Sequence, residues 1–340
     1  MSGTEILMNF HKQKVIDKDF YEGAWTFDEG FEKFIELCGI KNLRPKTIKN
    51  YKENYNRFSK FIQECTKCQY IKELSQYDVD NYVLYLRGFE MKDTSVNAYM
   101  RSLRVLIYFW IESQQCVKMK IRIHKADKQP KKTYTDDELY RLLRKPNIKT
   151  CDFAHYRNWV MVNFFLATGV RVSTLVHIRI EDVDMVFDRI HLTYTKSRKP
   201  QIIPMSAQLK NVLREYIGFR QGKQEDYLFC NEYGLQLTTD AVKHAIARYN
   251  KSRCVDRNGL HAFRHTFAKK CVMNGVNVFV LQRLMGHSDI SVTKEYIELY
   301  EDDLAFNIEK YNPLDTFGQQ KFVHPKSEAK QTKKKITMQR

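Results

Sequence analysis

The N-terminal third of the chain places hydrophobic residues at helical spacing between polar positions. In RPKTIKNYKENYNRFSKFIQEC the apolar positions recur every three or four residues, at Ile48, Tyr51, Tyr55, Phe58 and Ile62. A second stripe with the same spacing comprises Val96, Tyr99, Leu103, Leu106 and Trp110. Such stripes are typical of helices that bury one face. With shorter helices predicted in TFDEGFEKFIELCGI and YDVDNYVLYLRGF, this part of the chain is expected to form a small helical bundle.

A second, mostly helical unit is predicted to follow. Thr135 and Glu138 have capping-box spacing, which predicts a helix start in TYTDDELYRLL. One stretch breaks the helical pattern: DRIHLTYTKSRKPQIIPMS alternates apolar and polar residues, turns at KSRKP and resumes at residues 201–204. This pattern predicts a β-hairpin with lysines at its turn. The expected fold class is therefore mainly α with a small antiparallel β-sheet.

Composition and charge narrow the function. The 340 residues suggest two domains, and the chain carries 57 Lys+Arg against 40 Asp+Glu, a net charge of +17. Such a charge suits a polyanionic partner, either nucleic acid or an acidic membrane surface. The chain has no apolar run of about 18 residues and its N-terminus is too polar for a signal peptide, so we expect a soluble cytoplasmic protein.

Two basic segments stand out. The stretch KMKIRIHKADKQPKK, from Lys118 to Lys132, holds seven Lys/Arg and one Asp. A solvated linker explains it, and so does a tether that lies along a phosphate backbone. The lysine-rich C-terminal tail is poor in large apolar residues and is expected to be flexible when the protein is free.

Cofactor and metal motifs are missing from the sequence. Cys65 and Cys68 form one CxxC, but no second pair of ligands follows at the spacing of a structural zinc site. The sequence also contains no phosphate-binding glycine loop and no carboxylate cluster of the kind found in two-metal nucleases. We therefore expect no cofactor and no metal.

Five short stretches carry reactive or phosphate-binding side chains at predicted element boundaries. They are ATGVRVSTLVHI, YTKSRKPQIIPM, GLHAFRHTFA, LMGHSDIS and VTKEYIEL, and their candidate residues are Arg171, Lys196, His261, Arg264, His287 and Tyr296. Each alone has a plainer explanation, such as a surface arginine, a turn lysine, a capping histidine or a packed tyrosine. In this order, however, they resemble the tyrosine recombinase (phage integrase) family.

The resemblance implies a domain organisation. It implies a helical core-binding domain at residues 24–117, a basic linker at 118–133 and a catalytic domain at 134–300, which together form a C-shaped DNA clamp. Residues 1–23 would be an N-terminal extension, too short for the arm-binding domain of some phage integrases. Residues 301–314 would be a segment exchanged between protomers or folded onto their own domain, and residues 315–340 a basic tail.

The chemistry explains why these residue types belong together. Attack on a DNA phosphodiester builds negative charge on the non-bridging oxygens, which fixed cations must stabilise. Arg171 and Arg264 suit this role, since guanidinium groups donate forked hydrogen bonds and keep their charge, and His287 adds a donor. Tyr296 would be the nucleophile and His261, one turn from Arg264, its base. Tyr300 falls outside the family spacing and is interpreted as a packing residue.

Two positions leave questions open. Lys196 matches the family's hairpin lysine and would protonate the departing 5′ oxygen, with Lys199 as the rival. The family commonly has an acidic residue in R-x-S-E-L, whereas this chain reads RVSTL with Thr174. Glu181 or Asp182 is the expected substitute for that carboxylate.

The predicted function is site-specific DNA recombination through a 3′-phosphotyrosyl intermediate and a Holliday junction, without metal or ATP. Integration and excision of a mobile element is favoured over a chromosome-dimer-resolving or inverting recombinase. A type IB topoisomerase and a non-catalytic DNA-binding protein are more distant alternatives. The resemblance implies duplex recombination sites and an accessory excision factor as partners. Four copies would form a tetramer on two sites. The free protein would be a cytoplasmic monomer associated with a prokaryotic nucleoid.

Basic residues outside the catalytic set are candidates for DNA contacts. They are Arg101, Arg104, Lys118, Lys120, Arg122, Lys125, Lys199, Lys243 and Arg248.

Overall fold

The computed structural model describes residues 22–126, 131–256 and 259–300, with side chains up to residue 296. The chain divides into two compact units at the boundary between Gln129 and Pro130, and each unit has its own hydrophobic core. The predicted N-terminal extension, the candidate exchanged segment and the basic tail therefore lie outside the described residues, apart from residues 22 and 23. No helix within the described ranges is both long and apolar enough to cross a membrane.

The first unit is helical, in agreement with the hydrophobic stripes. Its α-helices are α1 (Phe27–Ile40), α2 (Pro45–Cys65), α3 (Gln76–Arg87) and α4 (Asp93–Glu112), with a 3₁₀ turn at Ile71–Glu73. Thr26 and Ser75 form capping boxes at the starts of α1 and α3. Pro45 occupies the first turn of α2, where its missing N–H has no consequence. The core is aromatic, and Phe58, Tyr82 and Trp110 are almost fully buried in it.

The first half of the basic segment packs against this unit instead of extending freely as a linker. Its residues alternate between inside and outside, with Met119 and Ile121 buried in the core and Lys118, Lys120 and Arg122 exposed. This alternation is that of an extended strand.

Two side-chain amides hold this segment in place. Gln76 accepts a hydrogen bond from the Lys120 amide (2.9 Å) and donates one to the Lys120 carbonyl (3.2 Å). Asn97 does the same for the amide (3.0 Å) and carbonyl (2.9 Å) of His124. Each amide thus satisfies both backbone groups of one residue, as a neighbouring strand would.

The second unit contains eight α-helices and one small sheet among the described residues. The helices are α5 (Asp136–Leu143), α6 (Phe153–Thr168), α7 (Val172–Leu175), α8 (Ala207–Arg220), α9 (Thr239–Ser252), α10 (Leu260–Met273), α11 (Val278–Met285) and α12 (Ser291–Tyr300). The sheet is antiparallel in the order β1 (Val183–Asp184), β2 (Arg189–Leu192), β3 (Gln201–Pro204). The expected hairpin and fold class are confirmed, whereas the two-residue β1 was not predicted.

Helix α6 is the centre of the second unit. Its buried residues include Tyr156, Val160, Phe164 and Phe165, and α5, α8, α9 and α10 pack around it. Residues 156–162 are buried at every position, so this part of the helix has no exposed polar stripe. Its polar members Arg157 and Asn158 are hydrogen-bonded inside the unit. Because its C-terminus is fixed by this packing, the loop that carries Arg171 starts from a rigid point.

Two glycines of α1 provide a test of packing in the first unit. The Gly30 carbonyl accepts the hydrogen bond of Trp110 Nε1 at 3.1 Å, and a Cβ on Gly30 would lie 2.8 Å from that nitrogen and overlap Ile71. Alanine favours helices over glycine by about 1 kcal/mol. We expect Gly30→Ala to lower the free energy of unfolding nevertheless, by about 1–3 kcal/mol, because overpacking outweighs propensity.

Gly39→Ala is the matched control, since no atom lies within 4 Å of its Cβ position in the same helix. It should be neutral or raise the free energy of unfolding by up to about 1 kcal/mol. Urea denaturation measures both variants. Equal stability changes would contradict the packing argument.

Candidate active site

Two helix-ending glycines build the floor of the candidate site. Gly169 ends α6 and Gly286 ends α11, each in the left-handed conformation with φ of 61° and 60°. This conformation is easily adopted by glycine, and a side chain on Gly169 would also overlap Phe267. Gly169 lies two residues before Arg171, and Gly286 directly precedes His287.

Carbonyl groups at these helix ends bind the two candidate arginines. Arg264 is 5% exposed and donates to the carbonyls of Gly169 (2.5 Å) and Met285 (2.7 Å). Arg171 donates to the Gly286 carbonyl at 3.4 Å. The C-terminal end of a helix carries partial negative charge, which favours a nearby cation. The guanidinium groups are thus oriented without a full counter-charge.

No carboxylate of the described residues forms a salt bridge with either arginine. Burial lowers the pKa of Arg264 to about 9, and the charge of Arg171 adds to the effect. Burial likewise lowers the pKa of Arg171. Both groups stay protonated near neutral pH, so the site holds two cations prepared for an anion.

Tyr296 of α12 lies inside this cluster, 2% exposed. Its hydroxyl is 2.7 Å from Nδ1 of His265, and its ring is nearly parallel to that of His287 with centroids 6.5 Å apart. Lys131, at the start of the second unit, places Nζ 3.8 Å from the ring centroid and forms a 2.9 Å ion pair with Glu295. The tyrosine is therefore fixed from several sides.

Three histidines surround the arginines and Tyr296. Burial, followed by the charge of Lys131, lowers the pKa of His265 from 6.5 to about 4. Burial and then the charge of Arg264 lower the pKa of His287 to about 4 and also lower that of His261. These histidines are neutral at pH 7, so each can accept one hydrogen bond and donate another.

The base expected from the sequence is not the residue that contacts the tyrosine. His261 has no hydrogen bond with the Tyr296 hydroxyl in the described part of the chain, and the contact belongs to His265. His265 follows one helical turn after His261, and their ring centroids are 6.3 Å apart. The i, i+4 spacing in HAFRH places both histidines on one helix face, and only packing against α12 selects between them.

The turn between β2 and β3 carries both lysine candidates. Lys196 and Lys199 are both exposed in the turn between β2 and β3. The charge of Lys196 is among those that lower the pKa of His261, whereas Lys199 lines a surface cleft with Gln201, Gly286 and His287. Lys196 thus acts electrostatically on His261, and Lys199 shares a cleft with His287. Both remain candidates for the proton donor.

The expected substitute carboxylate does not reach Arg171. Thr174 is buried in α7 at 6% exposure, and Arg171 caps this short helix. Asp182 instead accepts a hydrogen bond from the backbone amide of Arg179 at 2.8 Å, and Glu181 is exposed without a salt bridge to Arg171 within the described ranges. The hypothesis that Glu181 or Asp182 replaces the acidic residue is therefore wrong in this structure.

The candidate DNA contacts are mostly at the surface. Arg101 is exposed on α4 and Arg104 is half-buried on the same helix. The exposed remainder comprises Lys118, Lys120, Arg122, Lys125, Lys199, Lys243 and Arg248. Lys243 forms a 2.7 Å ion pair with Asp240, and the carboxylate offsets the positive charge of the lysine.

The neutral histidines generate a pH prediction. The unfolded chain protonates His265 and His287 near pH 6.5, whereas the folded protein does so only near pH 4. Between these values the unfolded state binds more protons, so the free energy of unfolding should fall as pH decreases from 6.5 to 4. Thermal unfolding across this range in the absence of DNA measures the effect.

His265→Gln and His287→Gln should each flatten this acid dependence, because each removes one proton-binding difference. His244→Gln, at an exposed position of α9, is the control for loss of a histidine as such. An acid dependence unchanged in both site variants would contradict the burial argument.

Two relatives of similar sequence are named tyrosine recombinases. Tyrosine recombinase XerD of Oceanobacillus iheyensis is 24% identical over 293 residues, which cover 83% of this chain and 97% of that protein. Tyrosine recombinase XerC of Staphylococcus epidermidis is 25% identical over 282 residues, with coverages of 80% and 93%.

Solved structures share the fold. The Tn1549 transposon integrase in complex with transposon right end DNA has a TM-score of 0.67 at 20% identity, covering 84% of this chain and 99% of that one. A lambda integrase tetramer bound to a Holliday junction has a TM-score of 0.65 at 15% identity, with coverages of 85% and 82%. Residues 31–114 match the model of the phage integrase N-terminal SAM-like domain. Residues 132–302, half of the chain, match the phage integrase family itself, and the chain belongs to that family.

Proposed function

We propose that this protein is a tyrosine recombinase that breaks and rejoins duplex DNA at specific sites. The observation that carries the proposal is the buried Tyr296 hydroxyl, bonded at 2.7 Å to a neutral histidine beside two arginines whose partners are backbone carbonyls. A structural tyrosine does not require uncompensated cations around it. A tyrosine that attacks a phosphate requires them, because they stabilise the negative charge on the phosphate oxygens.

The scissile phosphate would occupy the space that Arg171 and Arg264 face. Their remaining N–H groups would bind the two non-bridging oxygens, where charge develops during attack. His287 would add a hydrogen bond through Nε2, since its Nδ1 is held by Thr293 Oγ1 at 2.8 Å. The carbonyl contacts orient the cations beforehand, so little reorganisation is needed in the transition state.

The reaction moves one proton at each end. Tyr296 Oη would attack phosphorus while its proton passes to Nδ1 of His265, with His261 held as the alternative acceptor. The bond from phosphorus to the 5′ oxygen breaks, and Lys196 would protonate that oxygen. The products are a 3′-phosphotyrosyl link and a free 5′ hydroxyl. Because the link keeps the energy of the phosphodiester, a 5′ hydroxyl from a second strand can reverse the step without ATP.

Assembly and location follow from this chemistry. Exchange through a Holliday junction needs four protomers on two sites, as in the lambda integrase tetramer to which the fold is similar. We propose that the free protein is a cytoplasmic monomer and assembles on DNA, with residues 301–314 docking on a neighbouring protomer. An accessory excision factor would be a further partner.

Two biological roles fit the site. Integration and excision of a mobile element was the expectation from the sequence, and the fold is shared with a transposon integrase. The curated relatives favour the second role at least as well, since they are tyrosine recombinases XerC and XerD matched over nearly their whole length. Selection of bound genomic fragments separates the roles: enrichment of element ends supports the first, and enrichment of one chromosomal locus the second.

Covalent trapping tests the mechanism. We expect the wild-type protein to form a covalent adduct on a nicked site from which the 5′ product strand escapes, and Tyr296→Phe to form none because it lacks the attacking oxygen. Denaturing gel electrophoresis with labelled DNA measures the adduct. An adduct that persists in Tyr296→Phe would refute the assignment.

Tyr300→Phe is the matched control on the same helix and should cleave normally. A second assay excludes a type IB topoisomerase: strand exchange should occur between two sites, and a plasmid without a site should not be relaxed. Relaxation of the plasmid lacking a site would favour the topoisomerase.

The basic segment at residues 118–124, which Gln76 and Asn97 hold in place, predicts how DNA affinity depends on salt. Lys118, Lys120 and Arg122 point outward from a backbone fixed by Gln76 and Asn97, so we propose that they contact DNA phosphates. Replacing all three by alanine should reduce the slope of log affinity against log salt by about 3, because each phosphate contact releases about one counterion. Binding titrations between low and physiological salt measure the slope.

Replacing Lys145, Arg189 and Lys210 together by alanine is the matched control, since each of these cations forms an ion pair with a carboxylate. It should change the slope by less than the first variant does. Equal slopes for the two triple variants would argue against a role for the segment in phosphate binding.

A further inference from the structure

The loop that carries Lys196, residues 193–200 between β2 and β3, is fastened at both ends to other parts of the candidate site. A surface hairpin turn with several charged residues would ordinarily be mobile. This one is attached on one side to the segment that follows Arg171, and on the other to the helix end that precedes His287. These attachments are not part of the reaction described above.

An aromatic stack makes the first attachment. The rings of His177 and Tyr194 are 3.7 Å apart between centroids and 15° from parallel. His177 follows α7, the short helix capped by Arg171, and its Nδ1 is 2.8 Å from the carbonyl of Ser173. This hydrogen bond fixes the orientation of the imidazole ring. Tyr194 precedes Lys196 by two residues, so the stack sets where the loop begins relative to Arg171.

An amide makes the second attachment. Gln201, the first residue of β3, donates from Nε2 to the carbonyls of Arg283 (2.6 Å) and Leu284 (2.9 Å) at the C-terminal end of α11. A side chain on Gly286 would come within 2.5 Å of Gln201 Oε1, so the absence of a Cβ there makes room for this contact. Since Gly286 precedes His287, the end of the loop is tied to the phosphate-binding histidine.

The loop is also closed internally. Thr195 is 7% exposed, and its hydroxyl donates to the Lys199 carbonyl at 2.7 Å. The Arg198 amide donates to the Thr195 carbonyl at 3.2 Å. Little backbone freedom remains between the two attachments. The reach of Lys196 therefore depends on its own side chain and on where the attachments hold the loop.

We propose that His177, Tyr194 and Gln201 are positioning residues that aim Lys196 at the departing 5′ oxygen. The inference rests on the proposed function, because it takes Lys196 as the proton donor. A general acid must lie within hydrogen-bond reach of its target, and a displacement of about 1 Å can cost about 100-fold in rate. Without either attachment the loop would hold Lys196 at a range of distances.

The test uses two substrates that differ in the leaving atom. One carries the ordinary 5′ oxygen, and the other carries sulfur at the same bridging position. A thiol has a pKa of about 8.5 and leaves without protonation, so cleavage of the sulfur substrate does not need the lysine. A variant that acts only through Lys196 should be defective on oxygen and recover on sulfur.

We expect Tyr194→Ala and Gln201→Ala to cleave the oxygen substrate about 10- to 100-fold more slowly than wild type. On the sulfur substrate the deficit should shrink to about threefold or less. Tyr194→Phe keeps the stack and should restore the rate on oxygen. Tyr233→Ala, which removes a 79% exposed tyrosine from the same unit, controls for loss of an aromatic ring.

Two reference variants separate failure of this inference from failure of the proposed function. Lys196→Ala should recover on sulfur and Arg171→Ala should not, because the arginine stabilises phosphate charge with either leaving atom. Suppose that both reference variants behave as expected. The positioning inference is then overturned if Tyr194→Ala cleaves the oxygen substrate at the wild-type rate, or if it cleaves the sulfur substrate as slowly as the oxygen substrate. If wild type forms no adduct, or Lys196→Ala does not recover, the assigned mechanism fails.

Discussion

The second unit depends on one constraint: the guanidinium groups of the buried Arg264 and the partly buried Arg171 are held by carbonyl oxygens alone among the described residues. Burying a cation without a counter-ion is unfavourable, and placing two side by side adds repulsion. Helix C-termini supply partial charges that offset part of this cost. The part of the cost that is not offset lowers the pKa of both arginines. It also gives the site an affinity for anions such as a phosphodiester.

This constraint explains several features that otherwise look unrelated. The glycines at the ends of α6 and α11 turn the chain so that carbonyls face Arg171 and Arg264. The central packing of α6 keeps one of these helix ends from moving. Burial lowers the pKa of His265 and His287, and the charges of Lys131 and Arg264 add to this effect, so both histidines are neutral. Because a neutral imidazole has a free nitrogen lone pair, His265 can accept the proton of the Tyr296 hydroxyl. Burial within a basic cluster thus contributes both to anion binding and to the neutral state of the histidine beside Tyr296.

Positioning distributes the site over distant parts of the sequence. Lys131 contacts the Tyr296 ring from the beginning of the unit, and Tyr194 and Gln201 tie the hairpin loop to the segments of Arg171 and His287. These contacts use ring stacking, a cation over a ring and amide–carbonyl hydrogen bonds. None of them adds a carboxylate beside the arginines, so rigidity is obtained without neutralising the charge that the reaction needs.

The sequence by itself determined the features that depend on local chemistry. Hydrophobic spacing predicted the helices of the first unit, alternation predicted the β2–β3 hairpin, and the order of Arg171, Lys196, His261, Arg264, His287 and Tyr296 indicated the family. The tertiary structure decided which of two histidines on one helix face contacts Tyr296, because that depends on how α12 packs on α10. It also buried Met119 and Ile121 of an apparent linker and paired Asp182 with the backbone amide of Arg179. Sequence spacing fixes which residues share a face of one element, but contacts between elements depend on packing among residues far apart in the chain.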